Sequence, residues 1–360
     1  MTIMKLKSSR RRRAGRVPAQ PMGTTAAMTI AQYTASGGHE FAMLLCKSSM
    51  HATVVLDADT DLQTWAEVFG GNDTLNFGKA FDIAAVTAVA ETTPLGDAFG
   101  QWADGYGYPP ETAEHLGLST RIAVTFSVFG KPKQRDLAEE QALQIGRRLP
   151  ALIASLSQIG LAVRPLRVDE VEALVNDAVC EGMIERDVPL DAFRDGKFVE
   201  KRDRLDHDGF SSVSGTIAPR AIPEATLAYL CAPSWTAARR RIAVTYRPIK
   251  QDEIDVELLA MTSAADGDSA DTSDVDVAEA EAPAAAGDER QHVMNRMGAI
   301  VTVSEPVQIL PSLDGLREGM PLRTRLALRL AYDMQAAMFA GGLGIGVLLP
   351  DHTLIHDIAV

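Results

Sequence analysis

Arg121-Ile122-Ala123-Val124-Thr125-Phe126 returns near the end of the chain as Arg241-Ile242-Ala243-Val244-Thr245-Tyr246. Five of six residues are identical, and the sixth exchanges one aromatic for another. The β-branched and aromatic content marks both hexamers as strands. Each then meets a charged break, Gly130-Lys131-Pro132-Lys133 in one case and Arg247-Pro248-Ile249-Lys250 in the other. An acidic, helix-favouring stretch follows each break, from Asp136 and from Asp252. Strand, break and helix are therefore used twice. A strand–helix unit cannot bury its apolar face alone, so the repeat predicts two related α+β modules.

At 360 residues the chain is long enough for two cores. We expect ferredoxin-like or split β-α-β modules with mixed sheets over 39–180 and 200–360, joined by a connector at 181–199. Net charge is −13, distributed unevenly. Lys5, Lys7, Arg10, Arg11, Arg12, Arg13 and Arg16 lie in the first 39 residues, which contain no acid. Residues 261–290 hold nine acids against Arg290. The remainder is moderately acidic, which argues against a broad nucleic-acid surface. Residues 1–38 read as a disordered tail, and their basic cluster is a candidate contact for an anionic surface. Each basic residue there would contribute roughly 1 kcal/mol, screened by salt. Residues 262–290 contain too few large apolar groups to offset ordering entropy and read as a disordered acidic loop.

Cys46, Cys180 and Cys231 lie in apolar runs, and none belongs to a Cys-x-x-Cys pair. That pattern fits reduced, buried thiols, not a disulfide framework or a zinc site. No run of 18 apolar residues encodes a membrane span, and the basic start is not followed by the apolar stretch of a signal peptide.

Between the tail and the loop the pattern alternates. Residues 41–46 and 53–56 predict a hairpin. Residues 61–69 predict a helix closed by Gly70-Gly71, and 83–90 predict a strand. A long loop is expected over 94–118. The first hexamer strand spans 120–129, followed by a helix over 135–159 that Pro150 should kink or divide and Gly160 should cap. A short strand at 161–166 precedes a helix capped by Asp169. Residues 210–217, 226–231, 239–247, 298–303 and 324–330 read as strands. Residues 251–261 and 332–340 read as helices, the second stopped by Gly341.

The sequence offers little catalytic machinery. Gly78-Lys79-Ala80 lacks both the first glycine and the hydroxyl of a P-loop. Gly342-Leu343-Gly344-Ile345-Gly346 follows a helix and enters an extended run, the reverse of a dinucleotide loop. His207, between Asp206 and Asp208, is a dyad candidate, although a histidine in a glycine-bearing turn is usually a hydrogen-bonding group. Ser211-Ser212-Val213-Ser214-Gly215 lacks the spacing of a nucleophile elbow. Arg239, Arg240 and Arg241 read as a solvated strand start or, alternatively, as a contact for an acidic partner or phosphate. No cofactor is implied.

Taken in order, several stretches resemble an actinobacterial family of integral membrane proteins encoded beside conjugation-type (type IV-like) secretion ATPases. The matching residues are 41–44 (FAML), 51–56, 86–94 (VTAVAETTP), 167–178, His207-Asp208-Gly209, 241–248 (RIAVTYRP) and 335–350 (QAAMFAGGLGIGVLLP). The family's soluble region is similar to the N-terminal, non-motor α+β part of the assembly ATPase. This sequence departs from the family at its start, where a basic tail stands in place of a hydrophobic hairpin. The resemblance implies a non-enzymatic structural component of a conjugative or type IV-like secretion complex. Its expected partners are a secretion ATPase or a membrane subunit, met in the cytoplasm or peripherally at the inner face of the membrane. The alternatives are a type VII secretion subunit resembling EccE, and a nucleic-acid-binding accessory protein that uses the basic tail.

Overall fold

Both hexamers are strands, and both lie against the same third strand. The computed structural model describes residues 28–47, 49–70, 82–94, 116–131, 134–180, 198–207, 210–217, 224–231, 239–248, 295–306 and 310–349. Its strands are β1 (Met28–Thr34), β2 (Glu40–Cys46), β3 (His51–Asp59), β4 (Ile83–Pro94), β5 (Leu116–Ser127), β6 (Ala162–Pro165), β7 (Val199–Glu200), β8 (Leu205–His207), β9 (Phe210–Ile217), β10 (Arg239–Pro248), β11 (Asn295–Pro306) and β12 (Leu328–Leu330). Its helices are α1 (Leu62–Gly70), α2 (Leu137–Gln158), α3 (Val168–Cys180), α4 (Glu224–Cys231), α5 (Asp314–Glu318), α6 (Leu322–Ala327) and α7 (Gln335–Gly342).

The architecture is α+β, built not on the mixed sheets expected but on one large sheet, antiparallel at every described pairing, of order β1-β2-β3-β5-β4-β10-β11-β9-β8-β7. β6 pairs with β3 and β12 with β9. The outer edge of β3 is divided: His51–Thr53 pair with β2, and Leu56–Asp59 pair with β6. The outer edge of β9 is divided in the same way between β8 and β12. The succession of elements from β1 to α3 thus recurs from β7 to α7, and the two halves meet where β4 pairs with β10.

That topological repeat is not the repeat read from the hexamers. β10 corresponds to β4, and β5 corresponds to β11. The two hexamers instead flank β4 on its two sides. Arg121 stands opposite Val89 on one side, and Arg241 stands opposite Glu91 on the other. In both, Ile, Val and the aromatic ring join one core while Arg, Ala and Thr face the opposite layer.

One face of the sheet carries the larger core. Leu149, Leu152 and Leu156 of α2, Trp65 and Phe69 of α1, and Leu227 and Leu230 of α4 pack there on Ile122, Val124, Ile242 and Val244. Tyr246 reaches across this core and donates its hydroxyl to the carbonyl of Phe69. The other face is covered by α3, α7 and residues 343–349, with Val171, Val175, Phe339 and Ile345 at its centre.

Local signals set two helix ends, of which the Gly160 cap was expected. Asp61 caps α1, accepting from the Thr64 amide at 2.9 Å and the Thr64 hydroxyl at 2.7 Å. Gly160, at φ 90°, ends α2, and the Leu161 amide returns to the Leu156 carbonyl at 3.1 Å.

Other expectations are corrected. Residues 28–34, read as tail, form β1, which is paired with β2 along its whole length. Pro150 lies inside α2 without dividing it. The stretch read as a strand at 226–231 is helix α4, and most of 324–330 is helix α6. α3 starts at Val168, so Asp169 belongs to its first turn. The predicted helix at 251–261, the acidic loop at 262–290 and the connector, apart from Phe198 and Val199, lie outside the described residues.

Candidate functional site

The layer between the sheet and the α3/α7 cover is polar, although it is buried. Strand alternation aims Thr and Ser into it, and they pair across strands. Thr53 meets Thr125 at 3.0 Å, Thr87 meets Thr245 at 3.0 Å, Ser214 meets Thr302 at 2.9 Å and Ser212 meets Ser304 at 2.7 Å. Each pairing keeps a buried hydroxyl satisfied where water does not reach.

At the seam between the halves this layer holds a charged cluster around Glu91. Arg241 is bidentate to it, with Nη2 2.7 Å from Oε1 and Nε 3.1 Å from Oε2. Arg121 donates Nη2 to Oε2 at 2.9 Å and Nε to the carbonyl of Leu343 at 3.1 Å. Arg239 places Nε 3.2 Å from Glu91 Oε1 and turns its outer nitrogens to Asp177 of α3, at 2.6 Å from Oδ2 and 2.9 Å from the backbone carbonyl. Phe339 of α7 covers Arg241, with the guanidinium carbon 5.4 Å from the ring centre. Burial alone would raise the Glu91 carboxyl; the guanidiniums of Arg241, Arg239 and Arg121 outweigh it and hold Glu91 well below the usual carboxylate range.

Arg239, Arg240 and Arg241 are therefore not a solvated strand start. They are 4%, 6% and 1% exposed. The pleat sends Arg239 and Arg241 into the Glu91 cluster and Arg240 to the opposite face. A contact between these three side chains and an acidic partner in solution does not fit this burial. Lys5, Lys7, Arg10, Arg11, Arg12, Arg13 and Arg16 lie outside the described residues.

His207 neighbours this cluster. One ring nitrogen is 2.7 Å from the Val179 carbonyl in the last turn of α3, and the other is 2.7 Å from Ser212 Oγ. Phe339 and Phe198 pack against the ring. Burial lowers the imidazole pKa to about 4, with Arg241 and Arg239 adding to the shift against the Val179 carbonyl. The candidate dyad of His207 with Asp206 is not formed, since the Asp206 carboxylate is engaged by Lys201, Arg204 and Ser211, and Asp208 lies outside the described residues. The His207–Ser212 pair has the separation of a base and a nucleophile, but both side chains are buried and Ser212 also shares a hydrogen bond with Ser304. It works as a polar clamp holding α3 to β9.

The glycines of 342–346 fit the same layer. Gly346 adopts φ 86°, and a Cβ there would stand 2.0 Å from Thr53 Oγ1. The backbone lies directly on the sheet, which only glycine allows.

Sequence reasoning missed Glu91. Its signal was a single acid closing the apolar alternation of 83–90, with an arginine heading each hexamer. Nothing local says that these three charges meet. Among the described residues no group of three His, Cys, Asp or Glu side chains is placed to hold a metal ion, and no helix is long and apolar enough to cross a membrane. No protein-family model matches the chain, and no curated protein matches it.

Proposed function

We propose that this chain is a non-enzymatic structural component of a conjugative or type IV-like secretion complex, acting through protein–protein contacts with a secretion ATPase or a membrane subunit. The observation that carries this reading is a pair of leucines on α6. Leu322 and Leu326, one helical turn apart, are 67% and 71% exposed. Side chains of this size gain nothing from water, and an exposed apolar pair on one helical face is a place for a partner to bind.

The strand orders add support. β6-β3-β5-β4 and β12-β9-β11-β10 each follow the 4-1-3-2 antiparallel order of a split β-α-β, or ferredoxin-like, module. We read the chain as two such modules joined edge to edge, each extended by further strands. This architecture offers faces and edges to an assembly more readily than an enclosed substrate site.

Pull-down from native membranes tests the reading. Wild-type protein should capture the ATPase encoded nearby or a membrane subunit, and Leu322→Glu/Leu326→Glu should lose that capture while keeping its melting temperature. A folded wild-type protein that captures neither, or a double variant that captures as well as wild type, would sink it.

A further inference from the structure

We infer that β1 is where two copies of this chain join, edge to edge and antiparallel, into one continuous sheet. Among the described residues β1 pairs only with β2. The register shows which of its backbone groups face outward. Ala42 of β2 turns its amide away from β1, to the Leu166 carbonyl at 2.8 Å. In an antiparallel ladder, opposite residues turn their backbone groups either toward each other or apart. Gln32, opposite Ala42, therefore aims its N–H and C=O at the open edge, and alternation adds Ile30 and Thr34. These groups meet no hydrogen-bond partner among the described residues. The edge stops at Ser36, whose amide and hydroxyl donate to the Gly146 carbonyl at 3.1 and 3.2 Å. That carbonyl is open to them because Pro150, one helical turn on, has no N–H to claim it.

The opposite end of the sheet shows a guarded edge. β7 is two residues long and runs into Lys201-Arg202-Asp203-Arg204. β1 is seven residues long, pairs without a break in register, and contains no charge, proline or glycine. An edge of that kind is a template for a further strand. Two observations select a second copy as that strand's source. First, an antiparallel pair of Met28–Thr34 strands brings no like charges together, since neither strand carries any. Second, such a pair crosses the ends. The basic residues from Lys5 to Arg16 precede the Met28 end. At the other end exposed Glu40 stands opposite Thr34, and the Tyr33 phenol pKa is raised by burial and then by Glu139 of α2. Two-fold pairing leads each copy's basic stretch toward the other copy's acidic end.

Residue-resolved amide exchange on the full chain, read beside its sedimentation mass, tests this. In concentrated protein the amides of Ile30, Gln32 and Thr34 should exchange about tenfold or more slowly than after dilution. Those of Thr29, Ala31 and Tyr33, bonded to β2, should be slow at both. Over the same dilution the mass should fall from two chains to one; a pair too tight to dilute would instead keep both the double mass and the slow outward amides. Outward amides that are fast at every concentration overturn the proposal and leave the edge to another protein's strand. Outward amides that stay slow in a chain sedimenting alone overturn it in favour of cover by the chain itself. Thr34→Pro deletes an outward N–H and no β1–β2 bond, so it should fold and shift the protein toward single chains. A folded Thr34→Pro that pairs as wild type does would overturn the proposal, and if it does not fold the wild-type exchange decides. Leu322→Glu/Leu326→Glu should pair as wild type does, which separates this contact from the one on α6.

Discussion

Glu91 and Arg241 stand directly opposite each other in the β4–β10 ladder, and their side chains close a bidentate ion pair at 2.7 and 3.1 Å. The pair crosses the line where the first half of the chain meets the second. It is buried with Arg121 and Arg239 on the same carboxylate, so Glu91 is the common anion of three cations. Breaking a buried pair from one side leaves the partner charged in a low-dielectric layer, which costs about 3–5 kcal/mol. Glu91→Gln keeps the shape and removes the charge. Its unfolding free energy in urea should fall by about that amount. A loss below about 1 kcal/mol, the value of an exposed ion pair, would show that the cluster is solvated after all.

His207 predicts an acid limb of stability. Its folded pKa of about 4 lies below the ordinary 6.5. Above the unfolded value both states are neutral and the folded state is unpenalised. As pH falls from 6.5 toward 4 the unfolded chain takes up a proton that the folded chain refuses, so stability drops with falling pH. The total for this group is about 3 kcal/mol at 1.36 kcal/mol per unit. Urea unfolding across that range should show the decline in wild type. His207→Gln should have a flatter profile over the same window, even if it is less stable throughout. An unchanged slope in the variant would assign the acid limb to other groups.

Two glycines with similar backbone angles should respond very differently. Gly346 and Gly160 sit at φ 86° and 90°, where an L-residue pays about 1–2 kcal/mol. A Cβ on Gly160 meets nothing within 4 Å, whereas one on Gly346 would overlap Thr53 Oγ1. Gly160→Ala should therefore cost about 1 kcal/mol and Gly346→Ala clearly more, since backbone strain and overpacking add. Differential scanning calorimetry of the two variants checks the order. Equal shifts would mean that residues 343–349 can lift from the sheet at little cost.

The acidic composition of 262–290 makes it the expected site of proteolytic nicking. The strands on either side, β10 and β11, pair directly over ten positions from Arg239↔Ser304 to Pro248↔Asn295. A chain cut between them should elute as one species under native conditions and separate only in denaturant. Fragments that part on a native sizing column would contradict this.

The chain's own pattern was enough to show an α+β protein, because alternation in a strand and 3.6-residue spacing in a helix are local properties. It located β4, β5, β9, β10 and β11 closely and the centre of β3, along with the Gly160 cap. It failed where local patterns are degenerate. Thr226–Cys231 is too short and too evenly apolar to distinguish a strand from a helix. The sequence Met28–Thr34 is too polar to look like a strand until β2 lies beside it. Likewise, the twin hexamers looked like equivalent strands of two modules, and only the pairing shows them flanking one strand from opposite sides. The buried polar layer is the extreme case. Glu91, Arg121 and Arg241 are up to 150 residues apart, and each reads alone as an ordinary charge at a strand end. Strand order brings them together, since hydrogen bonding between strands is indifferent to sequence distance while side-chain alternation fixes which face each charge must share.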